Sequence, residues 1–228
     1  MMNILNTKSA ILQTIREKSI LKQLVYKNTS EVFDELKRVL ENLVEEYNNE
    51  LEDEQDAVKL EYVDRGKSEA QIRVASDILV FSMYSNVFQF DRDHAVWQKD
   101  YVKQKPDNAY SGIINIYNFL SDSFKYNRSE DLGYLVARIF INQEKHYIVE
   151  GKRQMGLLEH DLSQSISDEN SLRKIVETAI NYSLNFDLLV PPYDDVKILA
   201  VADIEEKIQN ANIKTGKRLG FQFKSDDV

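Results

Sequence analysis

At 228 residues, with 43% apolar and 29% charged side chains, the chain has the composition of a folded protein and not of a disordered one. Its 38 acidic against 29 basic residues leave a net charge of −9, which repels a phosphate backbone and argues against nucleic-acid binding. The absence of cysteine excludes disulfides, zinc–thiolate sites and cysteine nucleophiles, and without a leader-like or membrane-length apolar run a cytoplasmic location is expected.

Residues 9–27 set Ile11, Leu12, Ile15, Leu21, Leu24 and Val25 at near-helical spacing, and a polar gap at 16–19 predicts a bend or break. A second helix is expected over 31–51. Ser30 is placed to cap its free amides, and Glu31, Asp34 and Glu35 suit the positive helix end. Val32, Leu36, Val39, Leu40, Leu43, Tyr47 and Leu51 then form one apolar stripe. A stripe this wide serves its own core and a symmetry mate, so a homodimer is expected. Acidic residues gather near its end, at Glu45-Glu46 and over 50–54, as a solvated face.

The period then changes from helical to two. Val58, Leu60 and Tyr62 alternate with Lys59 and Glu61, Arg65-Gly66-Lys67 reads as a turn, and Ala70, Ile72 and Val74 follow in strand rhythm. Residues 78–84 are nearly continuous in apolar side chains, as in a central strand, and Val87, Phe88 and Phe90 extend it past an irregularity at Ser85-Asn86. The stretch 91–109 is a long polar connection with Pro106, able to hold a short helix around Ala95, Val96, Trp97, Tyr101 and Val102. Residues 112–120 return to strand, with Ile114 and Ile116 on one face and Ile113, Tyr117 and Phe119 on the other.

Residues 132–153 organise the rest as a hairpin. Leu135, Ala137, Ile139 and Ile141 alternate with Tyr134, Val136, Arg138 and Phe140, and the polar break 142–145 precedes His146-Tyr147-Ile148-Val149. A loop of two or four residues sets Ile141 opposite His146, Phe140 opposite Tyr147 and Ile139 opposite Ile148. Beyond it, Met155, Leu158 and Leu162 suggest a short helix. Ser167-Asp168-Glu169 opens a strong one through Leu172, Ile175, Val176, Ala179, Ile180 and Ser183. Pro191-Pro192 ends that region, 196–201 fits another strand, 202–209 a helix, and 219–223 a short strand.

The order of elements argues for an α+β fold in a single domain over 1–228. A helical segment over 1–52 leads into an antiparallel β-meander of five to six strands over 56–153. A helical segment with one further strand covers 155–228. The connections are too short for crossovers, so strands pair antiparallel, with N-terminal and C-terminal helices packed on the sheet.

Chemical constellations are few. Ile148-Val149-Glu150-Gly151-Lys152 is an apolar strand ending in Glu-x-Lys, and alternation points Glu150 and Lys152 the same way. It resembles the metal-dependent nuclease pattern PD-(D/E)xK. That resemblance implies Mg²⁺ held by Glu150 and by Asp131 in place of the pattern's first Asp, with Lys152 assisting the attacking water. No Pro precedes Asp131 here. Asp91-Arg92-Asp93-His94, His146 and His160 include metal-ligating types, but no H-x-x-x-H spacing joins them. Neither G-x-x-x-x-G-K nor G-x-S-x-G occurs. No resident metal or cofactor is expected.

These readings leave two functions of different class. The preferred one is a cytoplasmic, non-enzymatic binding or regulatory module. It engages a protein partner or a small ligand through its amphipathic helix or through an aromatic sheet face of Tyr117, Phe119, Tyr134, Arg138, Phe140 and Tyr147. Rings mixed with a guanidinium bury area yet keep polar handles, which suits a binding surface. The competing expectation for that face is core, with Arg138 paired to a carboxylate. The alternative function is a Mg²⁺-dependent nuclease built on Asp131, Glu150 and Lys152.

Overall fold

The computed structural model describes residues 2–54, 58–126, 129, 131–151, 153–158, 161–163 and 165–185, with side chains from residue 7 onward. The chain enters as α1 (Met2–Thr14), passes through a π-helical stretch (Ile15–Ser19) and continues as α2 (Ile20–Glu50). The polar gap at 16–19 therefore marks a change of helical hydrogen bonding and not a break. No break separates 9–27 from 31–51 either, and Ser30 lies inside α2 instead of capping it. Its polar neighbours are otherwise engaged. Thr29 Oγ1 donates to the Val25 carbonyl (2.8 Å), and Asn28 Nδ2 reaches the Gln143 carbonyl (2.7 Å) at the far hairpin.

Among the described residues, seven strands follow. They are β1 (Glu61–Asp64), β2 (Glu69–Val74), β3 (Asp77–Met83) and the two-residue β4 (Phe88–Gln89). After a short helix α3 (Asp100–Gln104) comes β5 (Tyr110–Leu120). After another, α4 (Ser121–Lys125), come β6 (Tyr134–Asn142) and β7 (Tyr147–Gly151). The sheet order is β1-β2-β3-β5-β6-β7, every pairing is antiparallel, and β4 runs along β5 beyond the end of β3. The α+β meander read from the sequence is the observed fold, with β4 as the additional strand. No helix among the described residues is long and apolar enough to cross a membrane.

One sheet face carries both long helices. Ala70, Ile72, Leu79, Phe81, Ile114, Ile116, Ile139 and Ile141 pack there against Val32, Leu36, Leu40 and Leu43 of α2 and Leu172, Val176 and Ala179 of α5 (Glu169–Leu184). The α2 stripe is thus consumed by its own core, so it is not the seam on which the homodimer was expected. Apolar side chains are exposed upstream instead, at Ile11, Leu12, Ile15, Ile20 and Leu24. On β5, Gly112 lies under α2, where a Cβ would collide with the Thr29 side chain. Asp168 and Ser171 form a reciprocal cap at the start of α5 (2.8 and 2.9 Å), and the Arg173 fork grips Glu46 of α2 (2.7 and 2.8 Å).

Two irregularities re-sort the side chains of the central hairpin. The β6–β7 loop has three residues, 143–145, with Lys145 in the left-handed region (φ 59°) and Asn142 Oδ1 accepting from the amides of Glu144 and His146. An odd loop shifts the register by one from that expected. Ile141 faces Tyr147, Phe140 faces Ile148, and Ile139 faces Val149. A one-residue slip moves side chains to the other face, and Tyr147 is accordingly buried in the helix-side core. A bulge then separates the Ile116–Ala137 pair from Tyr117–Leu135. It sends Val136 into the core while Leu135 turns to the open face.

Lys152 and His160 lie outside the described residues, as do the elements expected over 196–201, 202–209 and 219–223.

Candidate functional site

Among the described residues, the sheet face away from α2 and α5 is covered in part: Phe124 of α4 packs on Phe119 at one end, and the other end is covered at the hairpin turn. There the segment after β4 folds back over the hairpin, and Phe90, Val96, Trp97, Tyr101 and Val102 bury Ile113, Phe140 and Ile148. Polar contacts latch it to the hairpin turn. Tyr101 Oη donates to Glu144 (2.6 Å) and accepts from Asn142 Nδ2 (3.0 Å). Lys105 Nζ also donates to Glu144 (2.6 Å), and Gln143 Nε2 donates to Asn108 Oδ1 (2.7 Å). The Lys105 and Tyr101 hydrogen bonds hold the Glu144 carboxyl below its ordinary pKa. Burial, helped by Glu144, pushes the Tyr101 phenol up.

Next to this covered end the face is open, and a cleft of about 600 Å³ remains. Its floor is Ile113, Asn115 and Tyr117 of β5, Leu135, Arg138 and Phe140 of β6, and Glu150 of β7. Tyr84, Phe88, Phe90, Asp91, Asp93 and His94 build the wall. The rings are in contact with one another. Tyr84 and Phe88 lie 5.4 Å apart, Phe90 stacks on His94 at 4.5 Å, and Phe90 tilts against Phe140 at 4.8 Å.

Charge and hydrogen bonding in the cleft are unevenly satisfied. Arg138 and Glu150 sit directly opposite on β6 and β7, Nε to Oε2 at 2.8 Å, although Nε makes no hydrogen bond in this geometry. Asn115 is 8% exposed, and its side-chain amide, for which no hydrogen bond is found among the described residues, stays open to the cleft. Ser111 is 1% exposed, and its Oγ is likewise unpartnered. His94 Nδ1 accepts from the Val96 amide (3.2 Å), which leaves the proton of a neutral ring on Nε2.

Of the six residues expected on one aromatic face, Tyr117, Arg138 and Phe140 meet in the cleft. Phe119 shares their face by alternation but packs on Phe124 (5.4 Å) outside the lining. Tyr147 and Tyr134 do not join them. The first follows the shifted hairpin register, and the second pairs with Asn118 on the helix side of the bulge. The expected partner for Arg138 is present as Glu150. Asp131 accepts from Ser123 Oγ (2.7 Å), and among the described residues no three His, Asp or Glu side chains converge to hold a metal ion. His146 Nδ1 lies 2.7 Å from the Leu162 carbonyl, and its ring stacks on Tyr101.

Sequence reasoning missed Asn115, Ser111 and the aromatic part of the wall, and singled out Asp91, Asp93 and His94 only as metal-ligating types. Alternation with Ile113 and Tyr117 already assigned Asn115 to this face, and its polarity in an apolar strand was the usable signal. The place of the wall over the sheet had none, because a loop's fold-back is decided by tertiary contacts. Comparison with protein-family models, curated proteins and solved structures finds no match to this chain.

Proposed function

We propose that the chain is a cytoplasmic, non-enzymatic binding or regulatory module whose ligand enters the cleft on the open sheet face. The observation that carries this reading is Ser111 Oγ, buried and without a hydrogen-bond partner amid aromatic rings, on the strand whose Asn115 amide also lines the cleft. An unsatisfied buried polar group costs about 1–3 kcal/mol, which hydrogen bonds from a bound ligand would recover. The cleft's size falls within the range of small-molecule sites, roughly 300–1,000 Å³. The amphipathic-helix route loses its support because the α2 stripe is buried. The nuclease route is not carried forward. Its carboxylates do not gather among the described residues, and Glu150 is matched to Arg138 on an edge strand of an all-antiparallel sheet.

A thermal-shift screen of metabolite-sized compounds tests the reading, run in parallel on wild type and Leu135→Trp, which fills the cleft. Compounds that stabilise wild type but not the variant are expected, since a ligand at a hundred times its Kd adds about 2.7 kcal/mol. A screen in which no compound distinguishes the two proteins contradicts it.

The homodimer keeps a place in this proposal on a different surface. Ile11, Leu12, Ile15, Ile20 and Leu24 are exposed on a helical stretch that also carries Lys8, Arg16, Lys18 and Lys22. Those cations complement the acidic body of a second copy. Light scattering that reports 26.6 kDa at tens of micromolar removes the dimer.

A further inference from the structure

We infer that the cleft takes an organic cation, above all a quaternary ammonium group on a small polar body. This rests on the binding function proposed above and adds to it the charge of the ligand. The sign follows from which charges in the cleft are already compensated. Among the described residues Arg138 is the only Lys or Arg in the lining, and Glu150 matches it at 2.8 Å. Asp91 and Asp93 have no ion-pair partner among the described residues. Arg92, between them in sequence, is drawn away onto the face of Trp97, 4.0 Å from the ring centroid and outside the lining. Among the described residues, two exposed carboxylates therefore stand at the wall without an ion-pair partner.

The rings point to the same ligand. Tyr84 and Phe88 are inclined at 57° to each other at the cleft edge, and Phe90, Tyr117 and Phe140 continue the aromatic lining. Faces of such rings are electronegative and attract alkylammonium groups, which a cage of rings desolvates at little cost. A bare metal ion would need converging lone pairs, which the described residues do not supply. An anion would have to displace Glu150 from Arg138 inside a chain of net charge −9, whose field draws cations toward the cleft. Asn115 and Ser111 Oγ remain to hydrogen-bond a hydroxyl or amide on the ligand's body.

The test uses three probes of one shape and different charge, followed by ¹H–¹⁵N NMR titration of the full chain at low salt. Choline is the cation, 3,3-dimethylbutan-1-ol its neutral counterpart and 3,3-dimethylbutyrate the anion. Choline is expected to bind at least tenfold more tightly than either, to shift amides of 84–94 and 111–117, and to weaken as salt rises. Asp91→Asn/Asp93→Asn, with a spectrum that otherwise overlays wild type, should lose choline affinity fivefold or more and keep that for the alcohol. Equal or tighter binding of the alcohol or the carboxylate overturns the inference, as does the absence of a choline-induced shift at millimolar concentration. A neutral or anionic ligand from the thermal-shift screen that Leu135→Trp blocks would refute the cation and leave the binding function standing. Free trimethyllysine and a peptide containing it separate the sources. Tenfold tighter peptide binding assigns the cation to a partner protein, and equal affinity assigns it to a free small molecule.

Discussion

The two faces of this sheet are built by neighbouring residues of the same strands, yet they differ in every physical respect. Ile114 and Ile139 point under α2 and α5 into an almost wholly apolar core. Asn115 and Arg138, next to them in sequence and opposite each other in register, point into a cleft with rings and carboxylates. The first face is closed by two helices whose stripes match it. Among the described residues the second is closed where the segment after β4 folds back and where Phe124 lies on Phe119, and the part between holds polar groups that a dry interior would not tolerate unpaired. What separates core from candidate site is therefore the covering element and not the strand.

The largest expected effect lies on the helix face. Phe81→Ala, fully buried on the helix face, should cost about 3–5 kcal/mol in chemical denaturation. Phe140→Ala should approach that loss, because Phe90 covers it. Tyr117→Ala, a half-buried cleft residue, should cost clearly less than either. Gly112→Ala comes next. Its new methyl group meets Thr29, and overpacking of about 1–3 kcal/mol is expected on the helix face without a change in cleft binding.

Most of the closed face was legible in the sequence. The α2 and α5 stripes and the β2 and β5 alternations are periodic signals that landed where their periods placed them, and the apolar run over 78–84 lies in the central strand β3. The open face was legible only where register did not matter, at Tyr117, Phe119, Arg138 and Phe140. Tyr147 and Leu135 were assigned to the wrong faces, because a three-residue loop with Lys145 at positive φ and a bulge beside Val136 leave no periodic trace. The Ser30 cap failed for another reason. Asn28 and Thr29 resemble a helix start in sequence, but they serve a helix interior that packs on the hairpin.

A smaller effect concerns the latch that holds the cleft wall. The Glu144 carboxyl is shifted down in the folded protein, so its contribution is complete above its unfolded pKa of about 4.3 and is lost as pH falls through the folded value. Because the side chain is partly exposed, the effect should stay at or below roughly 1 kcal/mol. Hydrogen exchange in 91–109 should accelerate below about pH 4.3 in wild type. In Glu144→Gln that segment should exchange faster already at neutral pH and show less of the acid dependence. An identical pH profile in both proteins would remove the latch from the account.

Whether the open face is a ligand site is tested most simply by the melting temperature of Asn115→Leu without ligand. If Asn115 is held unsatisfied for a ligand, an apolar side chain of similar size should leave Tm unchanged or raise it by a few degrees, at about 2–4 °C per kcal/mol for a chain this long. The same variant should no longer be stabilised by cleft ligands. A Tm that falls by several degrees would mean that the Asn115 amide is structural, and the open face would then be core in the same sense as the face beneath the helices.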